Sequence, residues 1–368
     1  MSKCYLCGAE LTKENKSEEH IINNALGGRL KSYDLLCRTC NNKMGDKSDD
    51  TLAEDLKFFI EMFQIQRERN KELKGILMTD EYGHLIQVKE GGNKLKLHEV
   101  KASIEVHGDG SKTFHGLFRN LNELKNALEK SMQRGRLTKD EVDQIIKNAV
   151  PTNERKRLKG KITIRKESFP SIIKMLVNFY MFKTLDSSLG INLKPYILNQ
   201  KDCQDLMTIM VFEEFRLAPN FNSLHHTLKI RGKKGEGLVG IIEFFNVYSY
   251  GVILDKNYCG EDLDFSYCFD VLNLKEVGNY NPNIDLSVES VKKMKNIFHT
   301  TPQIAWNEMK IRMEQVLKLK SDLDRKKISD KIINEAFESL PEGAVITEEF
   351  INKLADRLVD ELILPYLQ

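Results

Sequence analysis

Cys4-Tyr5-Leu6-Cys7 and Cys37-Arg38-Thr39-Cys40 put four thiols into two Cys-x-x-Cys pairs. Thiolates are soft ligands, and four of them in two short knuckles suit a tetrahedral Zn²⁺. A closed site with four sulfur ligands is structural, because it leaves no position for a reacting molecule. One such pair would be weak evidence, but two are specific. The gap between them is longer than in a plain zinc ribbon, so something is inserted. The insert reads Ser17-Glu18-Glu19-His20-Ile21-Ile22, then Leu26-Gly27-Gly28-Arg29, then Asp34-Leu35-Leu36. Asn41-Asn42-Lys43-Met44-Gly45 follow the second pair directly, with Asp49 a little further on.

This order of knuckle, acid-His-Ile-Ile, Gly-Gly, knuckle and Asn resembles the HNH endonuclease family, in the branch whose ββα-metal core is stapled by a four-cysteine zinc. The resemblance covers roughly Cys4 to Leu52. It implies hydrolysis of phosphodiester bonds, chemistry that needs a deprotonated water, a Lewis acid on the phosphate and stabilisation of the leaving oxygen. The match gives His20 the role of general base, and its ordinary pKa of about 6.5 suits the task. Glu19 and Asn41 become the ligands of a catalytic Mg²⁺ or Mn²⁺, since a carboxylate and an amide offer hard oxygens. Glu18 stands as a rival ligand. In an extended strand Glu19 and His20 point to opposite faces, and the resemblance implies that the acid turns to the metal and the imidazole to the water. Many family members carry an Asn about five residues before the second knuckle, where it buttresses the His. This chain has Ser32 there, with Asp34 as a second candidate for the supporting role.

Simpler readings stand beside these. Asn41 is a good helix N-cap. Gly27 and Gly28 shape a turn and do no chemistry. Arg38 and Lys43 would flank a docked nucleic-acid backbone, with Lys31 and Lys47 nearby, although exposed basic residues need no such partner. The richest basic run, Arg155-Lys156-Arg157 through Lys161 and continuing to Arg165-Lys166, fits phosphate contacts and a solvated loop and strand face equally well. Lys229 to Lys234 looks like a turn. His225-His226 has no partner at ligand spacing, and Cys203, Cys259 and Cys268 read as packed thiols. Trp306, the only tryptophan, reads as a core anchor.

The elements that must position these residues follow from periodicity. Thr51 to Arg69 has a helical stripe of Leu52, Leu56, Phe59 and Phe63. Ile76 to Phe118 reads as a strand meander broken by glycines. Helices are expected at Leu121 to Met132, from a capping box at Thr138-Lys139-Asp140-Glu141, and at Pro170 to Leu185. Lys161 to Lys166 reads as a strand. Strand signals return as Leu238 to Asn246, Tyr248 to Leu254 and Phe265 to Leu272. From about Leu286 onward the chain reads as helix.

The expected class is therefore α+β: a zinc module at residues 1–55, a mixed region at 56–283 and a helical region at 284–368. The 368 residues allow two or three domains. With 56 Lys and Arg against 54 Asp and Glu, the net charge is only +2. Any nucleic-acid surface must then come from local clustering. No apolar run approaches the roughly 20 residues of a membrane span, and the first residues lack a signal-peptide stretch. Seven cysteines, an odd count with four of them in two Cys-x-x-Cys pairs, fit metal binding in a reducing, cytoplasmic setting.

The expected partner is nucleic acid, double-stranded DNA in particular, and a homodimer would serve to cut both strands at once. The alternatives are a zinc module that binds nucleic acid or protein without catalysis, and a defence-type effector nuclease gated by the C-terminal region.

Overall fold

The computed structural model describes residues 2–68, 73–81, 83–99, 102–149 and 158–362. The basic run at Arg155, Lys156 and Arg157 lies outside the described residues. The fold is α+β, and the chain divides into two compact units, one of Met1–Asn23, Gly28–Asp46 and Phe169–Gln368, the other of Asn24–Gly27 and Lys47–Ser168.

The N-terminal residues build a ββα arrangement. Strand β1 (Glu19–His20) pairs antiparallel with β2 (Lys31–Ser32), and helix α1 (Arg38–Met44) follows. Two glycines in the connection act differently. Gly27 adopts φ +92°, the left-handed region. Gly28 is required by proximity: a Cβ there would lie 1.9 Å from the Ile22 carbonyl oxygen. Ile21, Ile22, Leu35 and Leu36 are buried around this hairpin.

The second unit begins with α2 (Asp50–Asp55) and α3 (Lys57–Met62). The helix expected from Thr51 to Arg69 is thus broken at Leu56 and stops at Phe63, beyond which Gln64 takes φ 53°. The meander appears as a three-stranded antiparallel sheet, β3 (Ile76–Thr79), β4 (Leu85–Lys89) and β5 (Lys94–Leu97). A separate hairpin, β6 (Ala102–Val106) and β7 (Lys112–Gly116), packs Ile104 and Phe114 against Leu124 of α4 (Leu121–Gln133) and Val142 of α5 (Lys139–Asn148). The capping box at Thr138 and Glu141 forms as expected.

The segment from Lys161 to Lys166 forms no ladder. The Asp55 carboxylate takes the Arg165 amide at 2.8 Å and its Nε at 2.6 Å, so that backbone donor is met by a side chain instead of a strand.

The first unit resumes with α6 (Phe169–Thr184) and α7 (Ser188–Ile197). Its centre is a six-stranded antiparallel sheet in the order β13-β12-β9-β10-β11-β8. These strands are β8 (Met207–Ile209), β9 (His225–Lys233), β10 (Gly237–Phe244), β11 (Tyr248–Asp255), β12 (Leu263–Asp270) and β13 (Lys275–Glu276). Every residue of β10 is buried, because both faces of the sheet are covered. Val239 and Ile241 meet Val291 and Met294 of α8 (Val288–Thr300), while Gly240 on the other face lies against Leu176 of α6.

Lys229 to Lys234, expected as a turn, falls mostly within β9. The Lys229 ammonium is buried there and donates to Asp264 at 2.5 Å and Asn281 at 2.6 Å, which satisfies the charge inside the sheet. The helical reading from about Leu286 holds: helix α9 (Pro302–Glu338) is one continuous element, and α10 (Glu348–Leu362) pairs with it through Phe337 and Phe350. Trp306 is not a core anchor. It is 52 % exposed, on the flank of the stripe formed by Ala305, Met309, Arg312 and Val316. No helix among the described residues is long and apolar enough to cross a membrane.

Candidate active site

The two knuckles converge. The sulfurs of Cys4, Cys7, Cys37 and Cys40 all lie within 4.8 Å of one another, and Cys7 and Cys37 are 3.7 Å apart. Four sulfurs about 2.3 Å from one zinc would be separated by about 3.8 Å along each tetrahedral edge, so the cluster fits the ion. Local backbone geometry produces this approach. Gly8 at φ +78° turns the first knuckle, its N–H donating to the Cys4 carbonyl at 2.7 Å. The Tyr5 amide then donates to the Leu35 carbonyl at 3.3 Å and ties the two knuckles together. Burial, together with the Cys37, Cys4 and Cys7 thiols around it, pushes the Cys40 thiol up from its ordinary value. A bound cation would relieve that crowding by favouring the thiolates. The four cysteines can hold a structural zinc.

Within β1 the side chains of Glu19 and His20 diverge, as successive residues of a strand must. His20 is half-buried, and register places it across from Lys31. Lys31 pairs with Glu18, and that ammonium holds the Glu18 carboxyl below the usual carboxylate range. Alternation puts Glu18, His20 and Lys31 on one face of the hairpin, with Glu18 engaged by the lysine.

The other face carries Glu19, which is 3 % exposed. Its Oε1 receives the Lys174 ammonium at 2.9 Å and the Asn178 amide at 3.0 Å, both from α6. Register sets Ser32 opposite Glu19 instead of His20. Its hydroxyl accepts the Asp34 amide at 3.2 Å, and the Asp34 carboxylate accepts the Ser2 hydroxyl at 3.0 Å.

Asn41 lies in the first turns of α1 instead of ahead of the helix, and its amide N–H donates to the Cys37 carbonyl. Its side-chain nitrogen donates to the Ser17 hydroxyl at 2.8 Å. Ser17, two residues before Glu19, shares that residue's face where the chain is extended. Arg38 and Lys43 are exposed on α1. Lys174 and Asn178 were missed by sequence reasoning, because a lysine and an asparagine within the apolar helix Pro170 to Leu185 carry no motif and lie far along the chain from Glu19.

The N-terminal ββα unit thus carries four cysteines that could hold a zinc and an acid-His pair on its first strand. Residues 4–57 match the model of the HNH endonuclease family. The match points to nuclease activity and to nucleic acid as the molecule acted upon. No curated protein and no solved structure matches the chain.

Proposed function

We propose that the protein is a metal-dependent HNH endonuclease that hydrolyses phosphodiester bonds in double-stranded DNA. The observation that carries the reading is the split of the acid-His pair across the two faces of β1, within the segment that matches the family. His20 accepts the proton of the attacking water as general base, a role worth about 10²–10⁴-fold in rate. Glu19 and Asn41 hold a Mg²⁺ or Mn²⁺, and their two hard oxygens fit that ion better than zinc. That ion supplies Lewis-acid polarisation of the scissile phosphate.

The bond between Glu19 Oε1 and the α6 side chains is compatible with a ligand role, because ligating carboxylates are commonly hydrogen-bonded behind the metal. Ser32 and Asp34 support the second strand through their own hydrogen bonds. Arg38 and Lys43 bind backbone phosphates, and Arg155, Lys156 and Arg157 are further nucleic-acid-binding residues. Free thiols and a zinc cluster suit the cytoplasm. The reading divides the chain into the nuclease module at residues 1–55, a mixed region at 56–283 that grips substrate, and a helical region at 284–368. One active site cuts one strand, so a homodimer makes the double-strand break.

The test is cleavage of supercoiled plasmid by purified protein with Mg²⁺ or Mn²⁺, beside EDTA and Asn41→Ala. Cleavage that needs the divalent ion, disappears with EDTA and falls about 100-fold or more in Asn41→Ala is the expected outcome. Cleavage that survives EDTA unchanged contradicts it.

A further inference from the structure

We propose that two buried residues of α6, Lys174 and Asn178, are positioning residues for the Glu19 carboxylate, linked by Tyr5 to the zinc knuckle. The inference rests on the reading of Glu19 as a metal ligand. Four groups form a continuous chain. The Tyr5 hydroxyl, inside the first Cys-x-x-Cys pair, donates to Asn178 Oδ1 at 2.9 Å. Asn178 Nδ2 donates to Glu19 Oε1 at 3.0 Å, and Lys174 Nζ meets the same oxygen at 2.9 Å.

The order of donors fixes the chemistry. An amide held at its oxygen by a hydroxyl donor must present its NH₂ to the next group, so Tyr5 sets which end of Asn178 faces the carboxylate. Lys174 is 3 % exposed and supplies the opposite charge that a buried carboxylate requires. Its spacing from Asn178 is i, i+4, which puts both on one side of α6.

The close fit continues behind Tyr5. A Cβ on Gly190 of α7 would lie 2.8 Å from the Tyr5 ring, so the ring's seat depends on a glycine there. Two donors on Oε1 fix the orientation of the Glu19 carboxylate. The zinc knuckle and the α6–α7 pair thereby hold the catalytic carboxylate between them.

The test measures Mn²⁺ binding to the zinc-loaded full-length chain by loss of the free-ion EPR signal, with zinc content and melting temperature as controls. Asn178→Leu is expected to weaken Mn²⁺ about tenfold or more, as loss of an outer partner does. Tyr5→Phe, which removes one hydroxyl, is expected to weaken it about three- to tenfold with zinc content unchanged. Lys174→Arg keeps the charge and most of the affinity, whereas Lys174→Met loses it.

Where Asn178→Leu or Lys174→Met does not fold, Tyr5→Phe carries the test. If Glu19→Gln loses Mn²⁺ while Tyr5→Phe, and Asn178→Leu where it folds, bind as wild type does, the positioning role is overturned and the ligand role stands. If wild type binds no Mn²⁺, or Glu19→Gln binds it undiminished, the metal reading beneath the proposal fails with it.

Discussion

Glu19 and His20 are adjacent in the chain yet meet different surroundings: one is enclosed by donors from α6, the other lies across from Lys31 on the half-buried face. Other buried polar groups show how this protein treats charge it cannot expose. Arg312, 2 % exposed, donates to Glu243 at 2.7 Å, to the Ser249 hydroxyl at 2.9 Å and to the Phe212 carbonyl at 3.1 Å. Glu243 also accepts the backbone amides of Leu217 and Ala218. Removing one partner leaves the other charge buried and uncompensated. Arg312→Met is therefore expected to cost about 3–5 kcal/mol, read as a lowered urea midpoint.

His225 gives a pH-dependent counterpart. Burial holds its imidazole below the ordinary value, with the Asp270 charge opposing that shift. In the unfolded chain the same group takes a proton near pH 6.5, so acidification favours the unfolded state. This contribution to stability is present above about pH 6.5 and is lost as pH falls below it. Melting temperature should drop between pH 7.5 and 5.5, and less steeply in His225→Gln. Equal slopes in the two proteins would contradict the assignment.

At the scale of elements, a zinc held by the four cysteines would tie together a unit whose two strands have two residues each. Loss of zinc through Cys4→Ser or a strong chelator is expected to open residues 4–44 to limited proteolysis while the six-stranded sheet keeps its circular dichroism. Protection that persists after the metal has gone would count against a structural zinc.

The knuckles were legible in the sequence because ligand spacing is a local property. So were the Thr138 capping box and the apolar helix α6, whose signals lie within a few residues of each other. What could not be read locally was partnership across the fold. Lys229 looks like a surface lysine until Asp264 and Asn281 arrive beside it from later in the chain. Lys161 to Lys166 has strand-like residues but gives a backbone donor to Asp55. Trp306 illustrates the converse, since its size suggested burial while its position on α9 leaves it at the edge of the stripe. Lys174 and Asn178 belong to the first group, because their meaning appears only once α6 lies against β1.

For the whole molecule, the net charge of +2 gives no general attraction to nucleic acid, so the proposed recognition would fall to local basic groups such as Arg38 and Lys43. The candidate chemistry occupies the first 57 residues, and the rest of the first unit contributes the helix against which Glu19 is held. Under the proposed function cleavage and binding should be separable, since the base would act on water and the basic residues on phosphates. The most direct measurement compares wild type with His20→Ala on one labelled DNA duplex, reading cleavage in single turnovers with Mn²⁺ and binding by anisotropy with Ca²⁺. The account predicts cleavage lowered by about 10²-fold or more with affinity within about twofold of wild type. Cleavage by His20→Ala at the wild-type rate would contradict it.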